Sequence, residues 1–295
     1  MEWQLSQKLD QAVTSKGGFI EPALFKFNNM QIQKATRKLS KIKMAITGPA
    51  GSGKTYSALQ LAKGLTSMEK VCVIDTENGS SHLYADLGPY SVISICSPFS
   101  PENYEKAIDL AYEKGFECII LDSLSHGWEH LLDYHSRLPG NSFTNWSKVT
   151  PRHRSLVQKI LSVPVHVIST LRVKQDYALN LKNGKYVPEK VGLKAIQRDG
   201  IDYEFTLVFD LDIYHNAKCF KDRTGLFKLN PAFIITTGTG RIISNWCNMT
   251  DKSVLTKLPQ NQIETEAEER EQEEMVPIEH SFTPKSESNG THHIK

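Results

Sequence analysis

The chain has 295 residues, of which 39% are hydrophobic and 23% charged, with a net charge of +2; this supports a real core and suits one sizeable α/β domain with appendages. No run of about 18 apolar residues occurs, so no membrane-spanning helix is expected, and Met1-Glu2-Trp3-Gln4-Leu5 lacks the basic-then-apolar pattern of a signal peptide. The cysteines Cys72, Cys96, Cys118, Cys219 and Cys247 are odd in number and contain no C-x-x-C, which argues against a disulfide framework or a zinc site and fits a reducing cytoplasm.

Residues 1–40 read as an N-terminal arm. A short amphipathic piece (Trp3, Leu5, Leu9, Val13) precedes Gly17-Gly18 and then a basic segment whose Lys34, Arg37, Lys38, Lys41 and Lys43 suit a solvated face or a nucleic-acid contact. The run Ile42 to Thr47 predicts a strand, and Tyr56 to Leu65 a helix. Between them lies Gly48-Pro49-Ala50-Gly51-Ser52-Gly53-Lys54-Thr55, a complete G-x-x-x-x-G-K-[ST] phosphate-binding loop in its strand–loop–helix context. Glycines let the backbone curl its N–H groups around a polyphosphate, and the helix adds its positive N-terminal end. Lys54 is placed to reach β- and γ-phosphates and the Thr55 hydroxyl to ligate Mg²⁺. ATP and Mg²⁺ are therefore the expected ligands.

Strands follow at Val71–Asp75, Val92–Cys96, Cys118–Asp122 and Val165–Thr170. Helices are expected at Glu102–Glu113, begun by Ser100-Pro101, at Leu124–His135 and at Arg152–Leu161. This alternation implies a mainly parallel twisted sheet with helices on both faces. Residues 171–192 are polar, with Asn183-Gly184 at a turn, and read as a long loop. A helix is expected over Gly192–Tyr203, then a C-terminal hairpin, Phe205–Ile213 with Ala217–Phe220, turning at His215-Asn216. A last strand, Phe233–Thr237, precedes Gly238-Thr239-Gly240. The expected core is 41–258. Residues 259–295 carry nine acidic and three basic residues, so this tail holds −6 and the rest of a +2 chain holds +8. Its composition predicts disorder, with a short solvated helix around 263–275. A basic body with an acidic tail is compatible with nucleic-acid binding.

Cys118-Ile119-Ile120-Leu121-Asp122 is an apolar strand ending in a carboxylate, the Walker B pattern, and Asp122 is the expected Mg²⁺ holder opposite Thr55. Hydrolysis also needs a group to deprotonate water. Asp75 and Glu77, just past the second strand, both lie where strand ends face a ligand crevice.

Gly48–Thr55, Ile-Asp-Thr-Glu at 74–77 and Leu-Asp-Ser at 121–123 together resemble the RecA-like P-loop ATPases. The strings at 74–80, 191–205 and 221–227 look like a phage and prophage group of nucleotide-binding AAA-type proteins, the RecA-like single-strand annealing ATPases. The resemblance covers roughly residues 33–240. It implies that Glu77 is the catalytic base, that Thr170 or Arg172 is a sensor of the γ-phosphate, and that Lys221 and Arg223 reach a neighbouring subunit's nucleotide. It also implies that 173–190, with Lys174, Lys182, Lys185 and Lys190, lies where the family's second DNA-binding loop would be. The implied activity is an ATP-linked action on single-stranded DNA in recombination or annealing, as a ring or filament of like subunits and often beside a single-strand-binding protein. Helicase or helicase-loader action, a small-molecule kinase and an ATP-assembled scaffold share the same nucleotide residues. Gln197, Arg198 and Asp199 suit either a nucleotide or interface contact or a buried network.

Overall fold

A computed structural model describes residues 41–248, other than 183, 184 and 229. The arm expected at 1–40 and the acidic tail at 259–295 lie outside the described residues, as do the side chains of Lys182, Lys185 and Lys190.

Nine strands form one sheet: β1 (Lys43–Gly48), β2 (Val71–Asp75), β3 (Ser91–Ser94), β4 (Cys118–Asp122), β5 (His166–Lys182), β6 (Lys185–Ala195), β7 (Leu207–Leu211), β8 (Asn216–Asp222) and β9 (Phe233–Ile234). Their spatial order is β3-β2-β4-β5-β1-β7-β8-β9, with β6 attached to β5 off that path. The pairs from β3 through β7 are parallel, and β8 and β9 add antiparallel. The fold is thus the expected mixed α/β P-loop type. Five helices flank the sheet: α1 (Lys54–Leu65), α2 (Pro101–Glu113), α3 (Ser125–Arg137), α4 (Ser142–Ser162) and α5 (Thr237–Asn248).

The central strands are buried on both sides, which is why they read as unbroken apolar runs rather than alternations. Along β1 and β4 successive residues split between two cores. Met44, Ile46 and Ile120 pack with α1 and α5, while Ala45, Ile119 and Leu121 pack with α2 and α4. Cys72 and Cys118 belong to these cores, and burial pushes both thiols up to about 12, so neither is a reactive thiolate. Helix α2 starts where its signals place it: the Ser100 side chain accepts from the Asn103 amide and Pro101 opens the first turn. Helices α1 and α5 cross at glycines. A Cβ on Gly64 would stand 2.3 Å from the Thr237 carbonyl oxygen, and one on Gly240 2.3 Å from that of Leu61.

Four expectations are corrected. Residues 171–192 are not a loop: β5 runs on past the sheet, and from Val173↔Ala195 it pairs antiparallel with β6 as a two-stranded hairpin. No helix spans Gly192–Tyr203; its first residues complete β6, and a single 3₁₀ turn, Ile201–Tyr203, follows Gly200. Helix α4 begins ten residues before Arg152 and runs through Pro151. Its added half starts at an Asn141 cap and docks on α3 through rings, with Trp146 stacked on His135 at 4.2 Å and on Trp128 at 6.0 Å. Gly238-Thr239-Gly240 lies inside α5, not beyond a strand that ends at Ile234. Lys43 also leaves the basic arm. It is buried, and its Nζ donates to the carbonyls of Val163 and Val165, both at 2.6 Å. Among the described residues no helix is long and apolar enough to cross a membrane.

Candidate nucleotide site

β5 lies between β1 and β4, so three adjacent parallel strands deliver their C-terminal ends to one edge. β1 brings the loop 48–53, β4 brings Asp122, and β5 brings Thr170 and Arg172. There they border a cleft of about 880 Å³ lined by Gly51, Gly53, Lys54, Thr55, Glu77, Asp122 and Arg172. The phosphate loop curls through Gly53, whose φ of 79° is a left-handed conformation that side chains resist. Gly53 also caps α1, and no side chain satisfies the helix's first amides. The helix contains no acidic residue in its first turn, so its positive end faces the cleft unneutralised.

Lys54 Nζ donates to the carbonyls of Gly48 at 2.9 Å and Pro49 at 2.7 Å, leaving one of its three protons. Burial pulls its pKa down, opposed by the carboxylates of Asp122 and Glu77. Thr55 Oγ1 donates to Asp122 Oδ2 at 2.7 Å, and the Thr170 hydroxyl donates to Asp122 Oδ1. Burial raises the Asp122 pKa, and these two hydroxyls only partly offset it. Ser52 Oγ, within the phosphate loop, is buried without a hydrogen-bond partner. A desolvated carboxylate paired with a threonine hydroxyl, and an orphaned hydroxyl in a ring of free amides, fit a divalent cation and a polyphosphate.

The two candidate acids separate. Asp75 is buried and saturated: its carboxylate accepts from the amides of Glu77 (2.7 Å), Gly79 (3.2 Å) and Ser81 (3.1 Å) and from the Ser81 hydroxyl (2.6 Å). It shapes the turn that aims Glu77 and has no lone pair left for water. Glu77 lines the cleft. Arg172 Nε donates to its Oε1 at 2.8 Å, Arg172 Nη2 donates to its Oε2, and His126 Nε2 stands 3.9 Å from Oε1. Burial works to raise the Glu77 pKa, but the Arg172 bonds and charge outweigh it, so the carboxyl lies below its ordinary value.

The remaining expected residues lie elsewhere. Lys221 Nζ donates to the Asp202 carbonyl at 2.7 Å and Arg223 Nη2 to the Tyr203 carbonyl at 2.8 Å, and neither lines this chain's own cleft. Lys174 is exposed near the base of the β5–β6 hairpin. Gln197 is part of a buried network, accepting from the Arg198 amide at 2.9 Å and bonded to His153 at 3.0 Å. Several cleft residues carried no sequence signal. Tyr56 and Tyr84 meet edge to face at 5.8 Å, and His215, Ile234 and Ile235 close another side. These apolar and aromatic walls suit a planar base beside the phosphate loop.

Residues 40–245 match a protein family described as AAA domain. No curated protein is significantly similar to the chain.

Proposed function

Because this chain belongs to the AAA-domain family across residues 40–245, a family of nucleotide-binding ATPase domains, we propose that it is a RecA-like, Mg²⁺-dependent ATPase acting on single-stranded DNA in phage-type recombination or annealing. The observation that carries the reading is the convergence of Lys54, Thr55, Asp122 and Glu77 on one cleft, whose middle strand, β5, continues outward as an exposed hairpin. Thr55 and Asp122 would hold Mg²⁺, which supplies charge neutralisation at the β- and γ-phosphoryl oxygens. Lys54 and the first amides of α1 hold the phosphates. Glu77 takes the proton of the attacking water as its oxygen bonds to the γ-phosphorus and the bond to the bridging oxygen breaks. Lys221 and Arg223 act on a neighbouring copy's nucleotide. Exposed Tyr203 (71%) and Phe220 (73%) beside them support a subunit contact on that face. The hairpin, with Lys174 and its further lysines, meets the DNA backbone.

The test is ATP turnover with and without single-stranded oligonucleotide. Turnover should rise with DNA and fall with salt, because phosphate contacts release counterions. Glu77→Gln should keep ATP binding and lose turnover by about 10²–10⁴-fold, the usual worth of a general base. A rate indifferent to DNA at low salt would overturn the DNA reading; full turnover in Glu77→Gln would remove Glu77 from its role.

A further inference from the structure

Arg172 is the last residue of β5 that pairs with β1, and its partner in register is Gly48, the first residue of the phosphate loop. The next residue, Val173, opens the hairpin. Its backbone is pinned on both sides: its amide donates to Ser125 Oγ at 2.9 Å and its carbonyl accepts from the Ile196 amide at 2.7 Å. From this fixed point the guanidinium spends its fork on both oxygens of Glu77. It also borders the cleft that Lys54 and Thr55 enter. A carboxylate engaged on both oxygens by a cation is a poor acceptor for a water proton. A planar fork that fits a carboxylate fits a phosphate equally well.

We propose that Arg172 is a shared cation that holds Glu77 closed in the nucleotide-free site and transfers to the terminal phosphate when a triphosphate binds, releasing Glu77 for water. The anion at the third phosphate position is the only competitor with the right charge and shape inside the same cleft. Glu77 is not stranded by the exchange, because His126 Nε2 remains beside Oε1. Arg172 is thus a positioning residue for the base. Since its strand is the hairpin's own, a polyanion drawn onto the hairpin bears on the same guanidinium. The inference deepens the ATPase reading and rests on Glu77 being its base.

The test is a four-protein cycle on the full chain: wild type, Glu77→Gln, Arg172→Ala and the double variant. Each is titrated calorimetrically with Mg²⁺ and either a non-hydrolysable ATP analogue or ADP. Glu77→Gln frees Arg172 in advance, so the analogue should bind about tenfold tighter, within the usual range of a coupling between two sites, while ADP binding stays unchanged. In the Arg172→Ala background the same Glu77→Gln change should leave both affinities unmoved. Tightening that persists without Arg172, that extends equally to ADP, or that fails to occur overturns the exchange. Steady-state turnover keeps the two ideas apart. An inactive Glu77→Gln with a flat binding cycle removes only the exchange, whereas a coupled cycle with normal turnover in Glu77→Gln removes only the base.

Discussion

His166 opens β5 as a buried ring whose Nδ1 accepts the Ile42 amide at 3.1 Å. A nitrogen that accepts cannot also be protonated, and burial, helped by the Lys41 and Lys43 cations, lowers the ring's pKa from 6.5 to about 4. The unfolded chain therefore binds the proton first as pH falls. The stabilisation is whole above pH 6.5 and drains away as pH drops toward 4, by about 3 kcal/mol in total. Urea midpoints should decline steeply over that window. His166→Asn, which keeps an acceptor but no titration, should flatten the decline; an unchanged slope would assign the acid sensitivity to other groups. At this scale the sequence was an uneven guide. The roles of Lys54 and Thr55 follow from spacing alone, since the loop's chemistry is local. Choosing Glu77 over Asp75 required the fold, because two carboxylates one residue apart differ only in which of them the turn's amides consume.

Among the elements, the crossing of α1 and α5 sets the tightest tolerance. Gly64 and Gly240 let the two backbones touch, and any Cβ there meets a carbonyl oxygen at 2.3 Å. Such an oxygen is fixed by its own helix and has no rotamer to escape into. Gly240→Val should therefore cost at least the roughly 1–3 kcal/mol of ordinary overpacking, lowering the melting temperature by about 2–4 °C per kcal/mol in a domain of this size. A calorimetric melt within a degree of wild type would show that the helices part freely. Strands β1, β2 and β4 were legible because full burial selects continuous apolar residues. The outer pair β5–β6 was not, since a two-stranded ribbon with no core beneath it has no reason to be apolar, although Asn183-Gly184 carried the turn signal. Helix α4 was cut short by Pro151, whose missing amide usually ends a helix; here the ring stack on α3 compensates. Nor could periodicity reveal α5, whose first turn is written in glycines that serve contact rather than propensity.

For the molecule as a whole, charge is segregated along the chain, with −6 in residues 259–295 and +8 elsewhere. If that tail competes with DNA for basic surface, removing residues 260–295 should tighten oligonucleotide binding at low salt. Equal affinities in fluorescence anisotropy would make the tail a bystander. Replacing 174–194 with a short turn should leave nucleotide affinity intact and abolish stimulation by DNA, because the parallel part of β5 ends at Arg172. A truncated protein still stimulated would move the DNA contact elsewhere.

β5 also joins two very different mechanical settings in one piece of backbone. As far as Arg172 it is flanked by β1 and, through Ser169, by β4, whereas from Val173 outward β6 is its sole neighbour. Deuterium should consequently enter its inner amides only when the entire domain opens, while the outer ones exchange through fraying that leaves the rest intact. The boundary between slow and fast labelling should fall within a residue or two of the guanidinium that grips Glu77, placing the catalytic edge where rigidity gives way to compliance.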